Sequence, residues 1–234
     1  MTGPWRVAVT IPARDEADRI AACLRSVQVA IAAARLPDAV VVVVADHCTD
    51  ATAATARELL GPRGVVVECR HRSVGRARAV AAAAALRCTA PAPLHRTWLA
   101  TTDADTTVDP DWLVRQLACA AEGAAAVAGV VRVDDLDDHP PVVGRRWRAA
   151  YRTTGRSHPH VHGANLGVRA DAYVAVGGWP DTDTAEDHGL WDRLRRAGWP
   201  TAASVDVRVT TSGRRVGRAP AGFAAHLRSL EGTA

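Results

Sequence analysis

The sequence predicts an α/β fold with a mainly parallel central sheet flanked by helices. Three observations carry that expectation. Strand-like and helix-like stretches alternate four times within residues 6–133, as βαβ units joined by right-handed crossovers do. Residues 39–45 (AVVVVVA) form an unbroken β-branched run, which suits a strand buried on both faces. Polar residues gather at the carboxyl ends of three strands, at 14–16, 46–50 and 103–105, where open α/β sheets hold their ligands.

The elements follow in order. Residues 6–11 (RVAVTI) are a first strand, halted by Pro12. Asp15 and Glu16 open a helix through about Ala34, since acidic residues favour the positive end of the dipole. The second strand, 39–45, leads into a polar turn at 46–50, then a helix over 51–60 that Gly61 ends. Residues 64–68 are a third strand, and Ser73 is a candidate N-cap for the alanine-rich helix 77–87. Pro91 and Pro93 break the chain before a fourth strand, 98–102. Asp109, Pro110 and Asp111 start the next helix, and 124–133 is again strand-like. Residues 134–160 are less regular, although Val143, Trp147 and Tyr151 fall four apart, on one face of a short helix. Residues 186–196 read as a helix stopped by Gly198, and 203–210 as a last strand. There is no repeat or low-complexity linker, so residues 1–234 read as one domain.

Composition bounds the function. With 234 residues, 48% hydrophobic and 23% charged, the chain can bury its own core and is too apolar to be disordered. Its net charge is +4, and all 29 basic residues are arginine. That mild excess fits an anionic small molecule and is too weak to indicate nucleic acid. Arginine suits bidentate phosphate binding, although a biased genome gives the same replacement of lysine. The five cysteines form an odd set without a CxxC pair, which argues against a disulfide framework or a zinc ribbon. No signal peptide pattern opens the sequence, and no apolar run approaches the roughly 20 residues of a membrane span. A cytoplasmic protein with reduced thiols and no transmembrane segment is expected. The oligomeric state is left open.

Asp103, Ala104 and Asp105 sit just past the fourth strand. Two carboxylates around a small residue can hold Mg²⁺ or Mn²⁺, hard cations often shared with substrate phosphates. The same pattern also makes a solvated turn, as the acidic run at 134–138 illustrates. His158, His160 and His162 alternate. On a strand they share one face, which suits either a metal or a set of structural histidines.

Six segments in order resemble the family 2 glycosyltransferases. They are VAVTIPARDEADRI, VVVVADHCTDATAATA, SVGRARA, TTDADTTVDPDWL, HGANLGVRADAYVAVGGW and AEDHGLWDRLRRAGW, covering roughly residues 6–200. The resemblance implies the GT-A nucleotide-sugar-binding fold in one domain. Residues 1–133 would be the nucleotide-sugar half, 134–210 the acceptor half and 211–234 a basic tail.

Carried over by position, Pro12, Ala13, Arg14 and Glu16 would line the nucleoside pocket, with Glu16 at the ribose. Asp46 would bind the base, or cap its own turn. Arg76 would approach the base or diphosphate, or stand exposed on its helix. Asp103, Ala104 and Asp105 would bind donor, with Asp105 and Asp103 serving a divalent metal ion, Mn²⁺ or Mg²⁺. Ala13 and His47 depart from the family's polar and acidic residues there, which leaves the base open. Asp187 would be the catalytic base and Glu186 would place the acceptor, although both also suit the positive end of a helix. Arg214 and Arg215 would bind diphosphate, or belong to a basic terminus. His162, Gly163, Asn165 and Trp191 are the acceptor-side candidates; Asn165 is also a natural turn residue and Trp191 a natural core residue.

The function implied is metal-dependent transfer of a sugar from a nucleotide-diphosphate sugar to an unidentified acceptor hydroxyl, with inversion. A nucleotidyltransferase would want a glycine-rich phosphate loop and a lysine after the first strand, where this chain has PARDEAD. A non-catalytic nucleotide-sugar-binding protein of the same fold is the other alternative.

Overall fold

The computed structural model describes residues 5–182, 184–218 and 222–232. Among these residues one eight-stranded sheet organises the chain. Its strands are β1 (Arg6–Ala13), β2 (Val40–Asp46), β3 (Gly64–Cys69), β4 (Thr97–Thr101), β5 (Thr106–Val108), β6 (Ala126–Asp134), β7 (Leu166–Arg169) and β8 (Thr201–Ser212). The helices are α1 (Ile20–Ala33), α2 (Thr52–Leu60), α3 (Val74–Thr89), α4 (Trp112–Ala121), α5 (Pro141–Ala150), α6 (Ala170–Ala175), α7 (Glu186–Arg196) and α8 (Phe223–Ser229). The strand order is β3-β2-β1-β4-β7-β6-β8-β5. Pairings at β4/β7, β6/β7 and β5/β8 are antiparallel and the other four are parallel. The sheet is therefore mostly parallel, with β7 and β5 running against the rest.

Strand β2 is buried almost throughout, as its valine run requires. One face of the sheet packs Ile11, Val43 and Trp98 against Ile20, Leu24 and Trp112. The other packs Val42, Val44 and Leu166 against the alanines of α3 and against Leu190 and Leu194 of α7. A third, smaller cluster joins Val143 and Trp147 of α5 to Leu227 of α8. No helix among the described residues is long and apolar enough to cross a membrane.

Several elements differ from expectation. Strand β1 does not stop at Pro12 but continues to Ala13. Beyond Thr10 it is paired with β2 alone, and a one-sided stretch of strand tolerates a residue without an N–H. Helix α1 starts at Ile20, not Asp15. Asp15 is left-handed (φ 51°) and its carboxylate accepts the Thr49 N–H at 2.7 Å, so it ties two loops together instead of opening a helix. Strands β5 and β7 are three and four residues long, too short for a visible alternation. The tail from Thr211 contains the end of β8 and helix α8.

Strand β8 carries three extra residues opposite β6, between the pairs Gly129–Ser204 and Val130–Arg208. Asn165, fully buried, fills this irregularity. Its amide donates to the Val130 and Val207 carbonyls at 2.9 and 3.0 Å and accepts from Trp112 Nε1 at 2.8 Å. Position 129 must be glycine, because a Cβ there would lie 2.2 Å from the Asn165 amide nitrogen. Replacing Asn165 by leucine strands three buried polar groups and is expected to cost about 2–4 kcal/mol in urea unfolding. A variant as stable as the parent would refute this assignment of its side chain.

Candidate active site

The carboxyl ends of β1, β2 and β4 open into one cavity of about 780 Å³. Past β1 it is lined by Pro12, Ala13, Arg14 and Glu16; past β2 by Asp46; past β4 by Asp103, Ala104 and Asp105. From across the sheet come His162, Gly163, Glu186 and Asp187, and from the tail Arg214 and Arg218. The acidic pairs at 103–105 and 186–187, some 80 residues apart in sequence, thus face the same space.

Arg78 joins them. It is buried on the inner face of α3, where the neighbouring positions are alanine. Its Nη2 donates to Asp103 at 2.6 Å, Nε to Glu186 at 3.0 Å and Nη1 to the Thr101 hydroxyl at 2.8 Å. Its guanidinium lies 5.4 Å from the Trp179 ring. Burial disfavours its charge, but Asp103, Glu186 and Asp187 outweigh burial and hold it protonated. Gly163 is glycine because a Cβ would sit 2.4 Å from Arg78 Nη2.

The second cationic centre is Arg214. It forms a fork with Glu16 at 2.5 and 2.7 Å and reaches Asp105 at 3.0 Å. Burial raises the Asp105 carboxyl to about 6; Asp103 and Glu16 push in the same direction and Arg214 pulls against them. Asp105 and Asp103 offer hard oxygen atoms of the kind Mg²⁺ and Mn²⁺ prefer, and each is paired here with an arginine, Asp105 with Arg214 and Asp103 with Arg78. Asp15, Cys48 and Asp50 also lie close together. There the carboxylates already accept from Thr49, Ala17 and Thr52 and staple two loops.

Asp187 stands at the start of α7. Its Oδ2 accepts the Gly163 N–H at 2.8 Å and its Oδ1 the His188 N–H at 2.7 Å. Glu186 is buried, and burial raises its carboxyl while Arg78 opposes the shift. Ala185, just before the pair, is left-handed at φ 57° without being glycine, a conformation found where surrounding structure enforces it.

Not every expected residue reaches the cavity. Arg76 pairs with Asp181 at 2.6 Å on the outer side of α3, and Arg215 pairs with Glu231 at 2.7 Å. Trp191 is buried in the core between α7 and the sheet, and Asn165 fills the strand irregularity described above. None of these four lines the cavity. Asp46 does line it, but its carboxylate accepts the N–H groups of His71, Arg72 and Ser73 at 2.6, 3.0 and 3.0 Å. It caps the start of α3 from a neighbouring strand, not its own turn. The rings of His158, His160 and His162 stack about 6 Å apart instead of converging on one point. The motif reading singles out Arg76 and not Arg78, although an arginine on the alanine face of a helix is itself a signal, because a charge there needs a partner.

Compared with known families, the chain matches the model "Glycosyltransferase like family 2" over residues 4–228. Among solved structures, a mannosyltransferase from Pyrobaculum calidifontis in complex with GDP-Man and Mn²⁺ is 23% identical with a TM-score of 0.68, over 93% of this chain and 59% of that one. TarS residues 1–349 of S. aureus in complex with UDP-GlcNAc is 13% identical with a TM-score of 0.66, over 96% and 65%. The chain thus spans about three fifths of the length of these structures. No curated protein matches it.

Two measurements test this geometry. Arg78→Met leaves Asp103 and Glu186 without their shared cation and should lower stability by about 3–5 kcal/mol, with Arg78→Lys recovering part of it. Equal stability of the Met variant and the parent would contradict the buried bridge. Burial lowers the His162 ring to about 4 from an ordinary 6.5, against the pull of Asp187. Its contribution to stability is therefore full above pH 6.5 and lost as pH falls toward 4. The melting temperature of His162→Gln should fall less steeply across that window than the parent's, and parallel curves would count against a buried neutral imidazole.

Proposed function

The chain belongs to the glycosyltransferase-like family 2, and on that premise we propose that it moves a sugar from a nucleotide-diphosphate sugar to an acceptor hydroxyl. One observation carries the reading: the acidic groups after β4 and those opening α7 face a common cavity, and one member of each pair, Asp103 and Glu186, shares the Arg78 guanidinium. Binding alone does not need this, whereas transfer needs donor and acceptor held together.

In this reading Pro12, Ala13, Arg14, Glu16 and Asp46 surround the nucleoside. Asp46, already committed to the amides at 71–73, acts chiefly by holding that loop against the base. Asp105 and Asp103 are the residues that would hold a divalent cation, Mn²⁺ or Mg²⁺. When bound, such an ion stabilises the negative charge that builds on the departing diphosphate. Arg214 adds charge-assisted hydrogen bonds to the same oxygens.

Asp187 is the base. Two backbone amides orient its carboxylate and leave lone pairs for the acceptor. It takes the proton of the hydroxyl as that oxygen bonds to the anomeric carbon and the nucleoside diphosphate leaves. A single displacement of this kind inverts the anomeric centre. Glu186 stays with Arg78 and fixes the start of α7.

The solved relatives hold UDP-GlcNAc and GDP-Man, so these are the first donors to assay, each with Mn²⁺ or Mg²⁺. Asp187→Asn should lower transfer by about 10²–10⁴-fold while leaving nucleotide diphosphate binding by calorimetry in place. Asp105→Ala should abolish the dependence on added cation together with the activity. Full activity of both variants would overturn the assignment.

A further inference from the structure

One wall of the cavity is a continuous series of rings. On α5 and just past it, Trp147 and Tyr151 lie with centroids 4.8 Å apart. From α8, Phe223 meets Trp147 edge-on at 5.0 Å and His226 does so at 5.8 Å. From the segment before β7, His160 stacks on Tyr151 at 4.0 Å and 11°, and His162 lies parallel to Tyr151 at 5.8 Å. All six line the cavity. The series ends at His162, next to the Gly163 whose N–H holds Asp187.

Three further facts bear on what this wall meets. The cavity also presents Val131, Ala150, Val161, Ala164 and Ala224; no arginine among the described residues stacks on these six rings, and the carboxylate that faces their inner end, at His162, is Asp187. The Tyr151 hydroxyl accepts the Val131 N–H at 2.8 Å, which leaves its ring and not its oxygen to the cavity. The His162 Nε2 atom is buried with no hydrogen-bond partner among the described residues, a state that buried polar atoms rarely keep.

We propose that this wall is the acceptor subsite and that it takes an uncharged cyclic alcohol. The flat face of the ring stacks on Phe223, Trp147 and Tyr151, and a hydroxyl pairs with His162 Nε2 beside Asp187. The inference rests on the glycosyl-transfer reading above. It follows from desolvation and charge: the faces of Trp147, Tyr151 and Phe223 gain from a ring's C–H or π face, while the Asp187 carboxylate at the inner end disfavours a second buried carboxylate or a phosphate beside it. Sugar rings and aromatic alcohols share this chemistry, and the test separates them.

The full chain with donor and Mn²⁺ is assayed for release of nucleoside diphosphate above the acceptor-free background. The acceptors are methyl hexopyranosides, simple phenols, glucuronic acid, a hexose phosphate and glycerol. One uncharged ring class should exceed the charged rings and glycerol by about tenfold or more in kcat/KM, and the class that does so names the source. Trp147 also anchors the α5/α8 core, so the variants chosen are the less buried Phe223→Leu and His226→Ala. They should raise the acceptor KM by about three- to tenfold, with Phe223→Trp restoring it. Equal rates with charged or acyclic acceptors, or an acceptor KM unmoved by both variants, overturns the inference. Acceptor-free turnover separates the two failures. A protein that slowly hydrolyses the donor but ignores the rings leaves transfer standing and sinks the subsite. A protein that neither binds nor hydrolyses a nucleotide sugar sinks both.

Discussion

A single buried guanidinium governs the arrangement of this molecule. Arg78 lies between Asp103 after β4 and Glu186 at the start of α7, with Thr101 as a third acceptor. Its removal from water is tolerable only because every arm of the fork finds an oxygen. The constraint acts outward from there. It fixes the turn after β4, sets the start of α7, and dictates glycine at position 163, whose N–H then orients Asp187. The two acidic pairs that face the cavity are thereby placed by one side chain.

The loops around this centre are held in the same manner, by carboxylates that accept backbone amides from other loops. Asp46 gathers the amides at 71–73, Asp15 takes that of Thr49 and Asp50 that of Ala17. Of the six non-glycine residues in the left-handed region among those described, four fall at these junctions, Asp15, His47, Arg72 and Ala185, and two, Arg35 and Asp135, lie elsewhere. Each of the four adjoins or belongs to the cavity lining, so strained backbone is concentrated where ligands would meet the protein, as is usual for residues whose geometry is set by use and not by propensity.

Much of this was legible in the residues. The valine run of β2 and the polar clusters at strand ends are local signals, and they located the sheet and one rim of the cavity. What escaped is non-local. Strands β5 and β7 draw their identity from partners distant in sequence, since three or four residues carry no period of their own. Asn165 has the look of a ligand contact until three extra residues in β8 are seen to need filling. Arg76 and Arg78 differ by two positions, and only the helical phase tells that one faces Asp181 and the other the interior. Arg214 and its neighbour Arg215 diverge because adjacent residues point apart, one toward Glu16 and the other toward Glu231.

The small cluster of Val143, Trp147 and Leu227 shares no member with the two cores that sandwich the sheet. Changes in separate clusters add up instead of compounding. Substitutions in α5 and α8 that spare Tyr151, which bonds the Val131 backbone, can therefore accumulate without touching either larger core. A lineage could thereby reshape the ring-lined end of the cavity while inheriting the acidic end intact.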